Sequence, residues 1–450
     1  MAPKFGTSGL RGLITDLTPA LVGDYLRAFL AACDPGRGLC IGWDLRPSSE
    51  GIARAAAGAA RGAGVPVAIC GAVPTPALAM AAMGQGMAAL MVTGSHIPAD
   101  RNGLKFYTPQ GEITKADEAA ILSALGRPAG QGTAPETAMA DVAAAYAARY
   151  TGPFAGALAG LRIGLYAHSA VGRDLLAGVL RDCGAAVTEL GRSDAFVPVD
   201  TEAVSAALRA QLVDWAGQGD FDAIVSTDAD GDRPLLADGE GRVIPGDVLG
   251  QITGRWLGAG VAVTPVSSNS GAEQVFDQVI RTRIGSPFVI AAMEDAGGRV
   301  VGYEANGGFL LGFAARGLAP LMTRDALLPL CAVLAEAARA GGVAARVAAE
   351  PPVFTAADRL EEIPTARSAA FIASLEDAAQ KRDDFLSSFD LVERATDRTD
   401  GLRMICDGAV MHLRPSGNAP ELRLYVEADD PARAADLLAR GLAVLRAKLG

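Results

Sequence analysis

The sequence predicts a multidomain α/β protein in which three similar α/β domains are followed by a C-terminal α+β domain. The chain has 450 residues, and at roughly 150 residues per domain this length favours about three domains, with two or four as the alternatives. Half of the residues are hydrophobic and a fifth are charged, so the chain can bury a large core. An alternation of apolar strands and helices begins three times, like diverged repeats of one unit, and then gives way to a different pattern.

The first round alternates short apolar strands with helices. We predict strands at 39–43, 65–70 and 88–93 and helices at 48–64 and 75–84. Short apolar strands separated by helices indicate parallel pairing with both faces of the sheet covered. The stretch 62–95 has no charged side chain and is long enough to cross a bilayer, but Pro66, Pro74 and Pro76 divide it. We therefore interpret this stretch as a buried β-α-β segment.

The alternation restarts after the Gly- and Pro-rich stretch 150–160 and again near Val261. In the second round we predict strands at 161–166, 187–190 and 221–226 and helices at 171–183 and 201–215. From about Ser368 the tail shows a helix, strands at 402–406, 409–413 and 422–427, and an amphipathic helix from residue 431. These changes place the predicted domains at 1–155, 156–255, 256–366 and 367–450. A site where several domains meet is suited to a small molecule.

Charge and cysteine content exclude several classes of protein. With 40 basic and 51 acidic side chains the net charge is −11, which argues against a nucleic-acid-binding surface. The six cysteines form no CxxC pair, and with only three histidines they argue against a zinc site or a disulfide framework. We expect reduced thiols, a cytoplasmic location, no signal peptide and neither nucleic-acid nor membrane partners.

The loop at 93–98 follows a predicted apolar strand and contains Ser95 and His96. A serine on a tight turn after a parallel strand lies at the carboxyl edge of the sheet, where ligands bind. Its hydroxyl is a candidate nucleophile or phosphate carrier. The alternative is a turn serine that caps a helix, and this loop by itself does not decide between the two.

The loop at 228–233 carries three carboxylates in five residues. Asp228, Asp230 and Asp232 can converge on one hard cation, and Gly231 allows the backbone to bend. Ligands that are all oxygen favour Mg²⁺ over zinc or copper. The alternative is a solvated acidic turn, although carboxylates this close repel one another without a cation.

Two further polar loops offer hydrogen-bonding groups. Glu304 and Asn306 can bond adjacent sugar hydroxyls, although a plain turn also uses Asn-Gly-Gly. In the loop at 414–420, Arg414 together with serine, glycine and asparagine donors makes a candidate phosphate cradle.

Lysine is rare in this chain, and Lys105 lies shortly after the serine loop. The sequence has only five lysines, so arginine carries nearly all of the positive charge. Lysine can release its proton in an active site, whereas arginine effectively cannot. Lys105 is therefore a candidate general acid/base, with an incidental surface lysine as the alternative.

Five motifs together resemble one family, the α-D-phosphohexomutases. The segment FGTSGLRG at 5–12 is similar to the family's N-terminal signature, and 93–98 to its phosphoserine loop. The loop at 228–233 resembles the DGDGDR metal loop, 304–306 the sugar-binding loop and 414–420 the RPSGTEP phosphate loop. The matches occur in the family's order and span residues 5–423.

The resemblance implies mixed sheets, a central cleft between the four domains and a mutase of the isomerase class. Such an enzyme reversibly converts hexose 1-phosphate into hexose 6-phosphate. Phosphorylated Ser95 would give its phosphoryl group to the sugar, and the hexose 1,6-bisphosphate would turn in the cleft and return the other phosphate. The resemblance implies Mg²⁺ as cofactor and hexose 1,6-bisphosphate as activator.

The resemblance also implies roles for individual residues. Those expected to act in catalysis are Ser95, Lys105 as general acid/base, Arg11 beside the phosphoserine, and His96. Those expected to hold Mg²⁺ are Ser95, Asp228, Asp230 and Asp232. Those expected to bind substrate are Arg233, Arg283, Glu304, Asn306, Arg414, Ser416, Gly417, Asn418 and Arg423, with Glu304 and Asn306 on the sugar's 3- and 4-hydroxyls.

Several positions depart from the family pattern. Gly308 stands where several members carry a histidine, so an acid/base from that position is absent, and the residue that replaces it is left open. Arg283 stands where relatives often have lysine, and Ala229 replaces a glycine of the metal loop. The EANGG and RPSGNAP variants are most similar to bacterial phosphomannomutases, so mannose is the expected sugar.

Alternatives remain at this point. The nearest is a phosphoglucomutase or a dual-specificity enzyme, because the loop that contacts positions 3 and 4 does not report on the 2-hydroxyl. A serine phosphatase would pass the phosphoryl group to water and would need no anchor at Arg414. A non-catalytic sugar-phosphate-binding paralogue is the remote alternative. The expected partners are hexose phosphates, and the expected quaternary state is a monomer or a homodimer.

Overall fold

The computed structural model describes residues 3–6, 9–415 and 420–449. Within these residues, four β-sheets follow one another along the chain. The first three are mixed sheets with helices packed on them, and the fourth is an antiparallel sheet with its own helices. The predicted fold class, three α/β units followed by an α+β unit, is confirmed.

The first unit contains the longest sheet. Its strands are β1 Lys4–Phe5, β2 Leu10–Leu13, β3 Leu39–Trp43, β4 Val67–Ala72, β5 Ala88–Val92, β6 Arg101–Thr108, β7 Gly111–Glu112 and β8 Glu136–Ala138. Its helices are α1 Pro19–Ala32, α2 Ser49–Gly62, α3 Thr75–Gly84, α4 Lys115–Ser123 and α5 Val142–Thr151. The strand order is β1-β2-β6-β5-β3-β4-β8, with β7 beside β6. The strands and helices predicted for this round are confirmed, with small shifts at their ends.

The second unit is smaller. Its strands are β9 Arg162–Tyr166, β10 Ala186–Leu190, β11 Ala223–Thr227 and β12 Pro234–Asp238, and its helices are α6 Arg173–Asp182 and α7 Ala206–Gln218. The strand order is β10-β9-β11-β12. The first two pairs are parallel and the last is antiparallel.

The third unit repeats this arrangement. Its strands are β13 Val261–Pro265, β14 Gln278–Thr282, β15 Val300–Tyr303, β16 Phe309–Leu311 and β17 Leu321–Asp325. Its helices are α8 Gly246–Leu257, α9 Ala272–Val275, α10 Ser286–Ala296, α11 Leu327–Ala340 and α12 Val343–Ala348. The order β14-β13-β15-β16 matches β10-β9-β11-β12 and also β4-β3-β5-β6 of the first unit. This shared order supports the interpretation of the three rounds as repeats.

The fourth unit has the strand order β18-β22-β21-β20-β19. These strands are β18 Phe354–Leu360, β19 Glu393–Asp397, β20 Leu402–Cys406, β21 Ala409–Pro415 and β22 Leu422–Ala428, and the helices are α13 Thr365–Glu376, α14 Ala379–Ser387 and α15 Pro431–Leu449. Because β18 pairs with β22, the predicted boundary at 366/367 divides this sheet. The predicted boundary at 255/256 likewise falls inside α8. The pairing of β18 with β22 favours a boundary ahead of β18, and the continuity of α8 favours one ahead of that helix.

One hydrophobic cluster runs through the first three units, whereas the fourth unit has a separate core. Polar contacts join the third and fourth units, since Ser270 N donates to Glu427 Oε2 at 3.0 Å and Ile284 N donates to Asp400 Oδ2 at 3.1 Å. The segment 62–95 forms the end of α2, then β4, α3 and β5, as the interpretation of a β-α-β segment requires. None of the described helices is both long enough and apolar enough to cross a membrane.

Candidate active site

The predicted loops meet because three strands occupy the same place in three similar sheets. Each of these strands has a parallel neighbour on one side and an antiparallel neighbour on the other. Ser95 follows β5, Asp228 follows β11 and Glu304 follows β15. Ser95 Oγ donates to Asp228 Oδ2 at 2.5 Å, which joins the first unit to the second.

Ser95 is buried and has a backbone conformation that few residues other than glycine adopt. Its φ is +54°, in the left-handed region, which is uncommon for a side-chain-bearing residue and is often found at functional sites. Its amide donates to Thr93 Oγ1 at 2.8 Å. The next described element is strand β6, so Ser95 does not cap a helix. The structure therefore removes the helix-cap alternative.

Arg46 holds the serine loop in this conformation. Its guanidinium group donates to the backbone carbonyls of Ser95 at 2.9 Å and Ile97 at 2.7 Å. It also donates to the carbonyls of Pro98 at 2.8 Å and Arg101 at 2.9 Å. Asp44 accepts from Arg46 Nε at 3.2 Å and from Thr93 Oγ1 at 2.7 Å. This buried ion pair fixes both ends of the loop.

The three aspartates of the metal loop form one buried cluster. One carboxylate oxygen from each of Asp228, Asp230 and Asp232 lies within 4.8 Å of the other two. Lys105 Nζ donates to Asp230 Oδ2 at 2.5 Å and to Asp232 Oδ2 at 2.7 Å. Thr75 Oγ1 donates to Asp230 Oδ2 at 2.5 Å.

The remaining oxygens of this cluster fit a bound cation. Asp230 Oδ1 and Asp232 Oδ1 are buried and accept no hydrogen bond from any residue in 3–6, 9–415 or 420–449. A buried carboxylate oxygen without a donor is costly unless a cation or an ordered water binds it. Three clustered carboxylates, two of which present such an oxygen, suit a hard divalent ion such as Mg²⁺.

Burial and charge act differently on the three carboxyl groups. Burial, followed by the charges of Asp230 and Asp232, holds the pKa of Asp228 well above its usual range. Burial acts to raise the pKa of Asp232 as well, but Arg324, Lys105 and Arg233 outweigh it and hold that pKa below its usual value. Lys105 and Thr75 likewise outweigh burial at Asp230 and lower its pKa. Asp230 and Asp232 are therefore ionised.

His96 and Arg233 join the serine loop to the metal loop. Arg233 Nη1 lies 3.0 Å from His96 Nδ1, which is also 3.2 Å from Ser95 Oγ. Because a guanidinium group only donates, His96 Nδ1 accepts and the ring proton is on Nε2, 4.0 Å from Asp200. Burial and the charge of Arg233 lower the pKa of His96 to about 3, so this histidine is neutral near pH 7.

Arg11 adds a further cation to the same site. It lies on β2, beside the strand that carries Lys105. Burial, followed by the charges of Arg233 and Arg324, lowers the pKa of Arg11 to about 10. Several guanidinium groups held this close together favour an anionic ligand such as a phosphate.

The sugar-loop residues reach the metal loop through an arginine that sequence analysis did not identify. Arg324 Nη2 lies 2.9 Å from Asp232 Oδ2, and Arg324 Nη1 lies 3.5 Å from Glu304 Oε2. Asn306 Nδ2 donates to Glu304 Oε2 at 3.1 Å. All of these side chains are buried. The second and third units therefore share one electrostatic network.

The other predicted substrate-binding residues that the structure describes contact neighbours outside this cluster. Arg283 is exposed, with its guanidinium carbon 5.8 Å from the centre of the Phe288 ring. Arg414 Nε donates to Asp400 at 2.9 Å, and Arg423 pairs with Glu421 at 2.8 Å. Ser416, Gly417 and Asn418 lie outside the described residues. Their roles stay predictions.

The site also contains four residues that no sequence motif identified, namely Asp44, Arg46, Thr75 and Arg324. Asp44 and Arg46 come directly after the apolar strand β3, at the carboxyl edge where ligands bind, and that position was a usable signal. Thr75 begins α3 and Arg324 lies within β17. Neither has a sequence pattern that distinguishes it from an ordinary helix start or strand residue.

Comparison with known proteins gives consistent results. Family models described as phosphoglucomutase/phosphomannomutase match residues 2–129 with domain I, 245–354 with domain III and 363–443 with the C-terminal domain. A phosphomannomutase of Sinorhizobium fredii is 46% identical over the whole of both chains. A phosphomannomutase of Salmonella muenchen is 42% identical, covering 99% of this chain and 96% of that protein. A phosphoglucomutase/phosphomannomutase family protein of Burkholderia thailandensis has a similar fold, with a TM-score of 0.81 at 21% identity, covering 98% of this chain and 96% of that one.

Proposed function

The chain belongs to the phosphoglucomutase/phosphomannomutase family, and from that premise we propose that it interconverts mannose 1-phosphate and mannose 6-phosphate through phosphorylated Ser95. The protein is a hexose phosphate mutase. The names of the two relatives at 46% and 42% identity support mannose as the sugar. Phosphoglucomutase activity is the alternative to be tested beside it.

The observation that carries the proposal is the contact between Ser95 and the aspartate cluster. Ser95 Oγ lies 2.5 Å from Asp228 Oδ2 and belongs to the same buried cluster as Lys105. A hydroxyl held against carboxylates is poorly suited to receive an anionic phosphate unless cations offset the charge. The surrounding arginines, Lys105 and a metal ion at the aspartates would supply that charge.

The charges of the site support Mg²⁺ and phosphoserine together. The carboxylates of the inner site are Asp228, Asp230, Asp232 and Glu304, and its cationic side chains are Arg11, Lys105, Arg233 and Arg324. Mg²⁺ and a phosphate that carries about two negative charges bring opposite charges to these side chains, so binding both together adds little net charge to the site. Asp228, Asp230 and Asp232, with an oxygen of phosphorylated Ser95, would hold the ion. When bound, Mg²⁺ would offset negative charge on the phosphoryl group during its transfer.

In the proposed reaction, the bond between Ser95 Oγ and phosphorus breaks while a bond forms between phosphorus and a sugar hydroxyl oxygen. Lys105, in its neutral amine form, is the proposed acceptor of the proton from that hydroxyl. The proton ends on Ser95 Oγ as this oxygen leaves phosphorus, and the reverse direction runs the same transfer backwards. Arg11 and Arg233 would bind the oxygens of the phosphoryl group. Arg46 would keep Ser95 Oγ in place through the backbone carbonyls that it binds.

Recognition of the sugar would come from the third and fourth units. Glu304 and Asn306 are the proposed partners of the 3- and 4-hydroxyls. Arg414, Arg423 and the loop at 416–418 are the proposed anchor for the phosphate that is not being transferred, and Arg283 would contact substrate from the edge of the third unit. An anchor that accepts either end of the sugar allows hexose 1,6-bisphosphate to turn and act as activator.

The cellular setting is also a proposal. A cytoplasmic location agrees with the six cysteines, which are all free thiols in the structure. The negative net charge argues against nucleic acid as a partner, and hexose phosphates are the proposed partners. We propose a monomer or a homodimer.

Phosphorus NMR tests this function. The protein is incubated with Mg²⁺, a trace of hexose 1,6-bisphosphate and either mannose 1-phosphate or glucose 1-phosphate. Formation of mannose 6-phosphate at the higher initial rate is the expected result. A higher rate with glucose 1-phosphate would make the protein a phosphoglucomutase. Release of inorganic phosphate would indicate a phosphatase, and no change in either sample would overturn the mutase assignment.

A further inference from the structure

In the third unit, the side chain of Arg324 fills the space that a side chain at position 308 would need. A Cβ atom added at Gly308 would lie 2.7 Å from Arg324 Cδ and 2.9 Å from Arg324 Cγ, closer than such carbon atoms approach in proteins. The φ of Gly308 is not positive, so this glycine is needed for space and not for an unusual backbone conformation. The side chain of Arg324 lies where a side chain at position 308 would begin.

The guanidinium group of Arg324 is buried between two loops that have different tasks. The residue is 1% exposed. It lies 2.9 Å from Asp232 of the metal loop and 3.5 Å from Glu304 of the sugar loop. Nη1 donates to Glu304, whereas Nη2 forms an ion pair with Asp232 without a hydrogen bond. A buried positive charge between two carboxylates attracts both and so limits how far apart they move.

The strand that carries Arg324 is itself held by the first unit. Glu112 Oε1 accepts from Thr323 Oγ1 at 3.3 Å, and Glu112 Oε2 accepts from Ser286 Oγ at 2.6 Å. Thr323 directly precedes Arg324 on β17. The position of Arg324 is therefore set by contacts to all three α/β units.

Both neighbours of Glu304 use the same carboxylate oxygen. Arg324 Nη1 and Asn306 Nδ2 each contact Oε2, at 3.5 Å and 3.1 Å. This arrangement directs the carboxylate and leaves Oε1 for a sugar hydroxyl. If Arg324 were lost, Asn306 alone would orient the carboxylate, and Asp232 would lose its contact to the sugar loop.

We propose that Arg324 is a positioning residue that couples sugar recognition to the metal loop, and that it requires glycine at position 308. Arg324 acts through Glu304 and Asp232 and does not itself take part in the transfer. The space of the histidine that is absent at position 308 is filled by this arginine from the neighbouring strand. The assignment of Glu304 to the sugar rests on the proposed function.

The test compares Arg324→Ala, Arg324→Lys, Glu304→Gln and the double variant Arg324→Ala/Glu304→Gln. We expect Arg324→Ala to lower kcat/KM for mannose 1-phosphate by about 100-fold, which is the scale for removing one partner of a buried charge pair. If Arg324 acts through Glu304, the double variant loses little beyond Arg324→Ala. Guanidinium ion added to Arg324→Ala is expected to restore part of the activity, and Arg324→Lys to keep more activity than Arg324→Ala. Losses that multiply in the double variant would overturn the proposal.

Gly308→Ala tests the steric half of the proposal. We expect it to lower kcat/KM by about tenfold in the wild-type protein, because the added methyl group displaces Arg324. In the Arg324→Ala background the same substitution is expected to change kcat/KM by less than about twofold. An equal loss in both backgrounds would show that the two positions are independent. Arg339→Ala, an exposed arginine on the helix that follows, is the matched control for loss of an arginine.

Calorimetric binding of mannose 6-phosphate in the presence of Mg²⁺ separates this proposal from the proposed function. We expect Arg324→Ala and Glu304→Gln to weaken binding by similar factors, with no further loss in the double variant. That result would support the coupling even if no variant, including the wild type, showed mutase activity. Binding of mannose 6-phosphate by Arg324→Ala at the wild-type affinity would overturn the coupling proposal. If the wild type still turned over mannose 1-phosphate, the proposed function would stand.

Discussion

Ser95 Oγ lies 2.5 Å from Asp228 Oδ2, although 133 positions separate the two residues in the chain. Backbone hydrogen bonds hold the metal loop in place next to this contact. Thr75 N, at the start of α3, donates to the backbone carbonyl of Asp230 at 2.9 Å. Val171 N, ahead of α6, donates to the carbonyl of Ala229 at 2.9 Å. The metal loop is therefore held between a helix start of the first unit and a turn of its own unit, and it meets the serine at a fixed distance.

Ser95→Ala is expected to remove turnover of mannose 1-phosphate, by at least about 1,000-fold, because the variant lacks the hydroxyl that carries the phosphoryl group. The measurement is the initial rate by phosphorus NMR, with intact mass to detect phosphate on the protein. Ser123→Ala, at an exposed serine of α4, is the control and should keep full activity. Turnover by Ser95→Ala at the wild-type rate would show that another residue carries the phosphate.

Lys105→Met is expected to make stability depend more strongly on Mg²⁺. Lys105 offsets the charges of Asp230 and Asp232, so its removal should lower the free energy of unfolding of the metal-free protein by about 3 kcal/mol. Mg²⁺ should restore much of this loss, because it brings positive charge back to the same carboxylates. Turnover should fall by about 100-fold or more if Lys105 is the general acid/base.

The measurement for Lys105→Met is the thermal unfolding midpoint in EDTA and in excess Mg²⁺. Lys381→Met, at an exposed lysine of α14, is the matched control. The same midpoint change on adding Mg²⁺ to the variant and to the wild type would contradict the prediction and would place the metal away from these aspartates.

Arg46→Lys is expected to weaken both the fold of the serine loop and catalysis. A single ammonium group cannot reach the carbonyls of Ser95, Ile97, Pro98 and Arg101 together, as the guanidinium group does. We expect a loss of about 3 kcal/mol in the free energy of unfolding by urea and a fall in kcat of about 30-fold. Arg54→Lys, at a half-exposed arginine of α2, should change neither. Unchanged kcat in Arg46→Lys would mean that the loop keeps Ser95 in place without this arginine.

Stability is expected to fall as the pH is lowered from 7 to 5, and two buried histidines account for part of the loss. Burial lowers the pKa of both His168 and His412 from 6.5 to about 4. Between pH 6.5 and pH 4 the unfolded chain therefore binds protons that the folded chain does not, so the folded state loses stability as the pH falls. Each histidine should contribute about 2 kcal/mol between pH 7 and pH 5.

Urea unfolding of the wild type and of His412→Gln at both pH values checks the prediction. The variant has one fewer group that binds a proton only when unfolded, so the difference between its stabilities at pH 7 and pH 5 should be smaller. Any loss of contacts in the variant lowers stability at both pH values and cancels in this difference. An equal difference in the two proteins would show that His412 takes up its proton equally in the folded and unfolded states.

Much of the fold could be predicted because its signals are local. The apolar strands at 39–43 and 88–93 and the helix at 75–84 were found within one residue of β3, β5 and α3. Each is an uninterrupted apolar or alanine-rich run bounded by glycine, proline or polar residues, so no distant contact was needed to identify it. The predicted domain boundaries were less accurate, since β18 looks like the end of the third unit until its pairing with β22 is known.

Local patterns were enough to predict the order of the units, the serine and aspartate loops and the resemblance to the family, because each of those signals lies in a few consecutive residues. Only the tertiary structure showed that Arg46 holds the serine loop and that Arg324 fills the space beside Gly308. Both arginines act on residues that are distant in the chain or on another strand. Their effect depends on contacts of a few ångströms between buried side chains. The packing of the units sets these contacts, so no local pattern of residues predicts them.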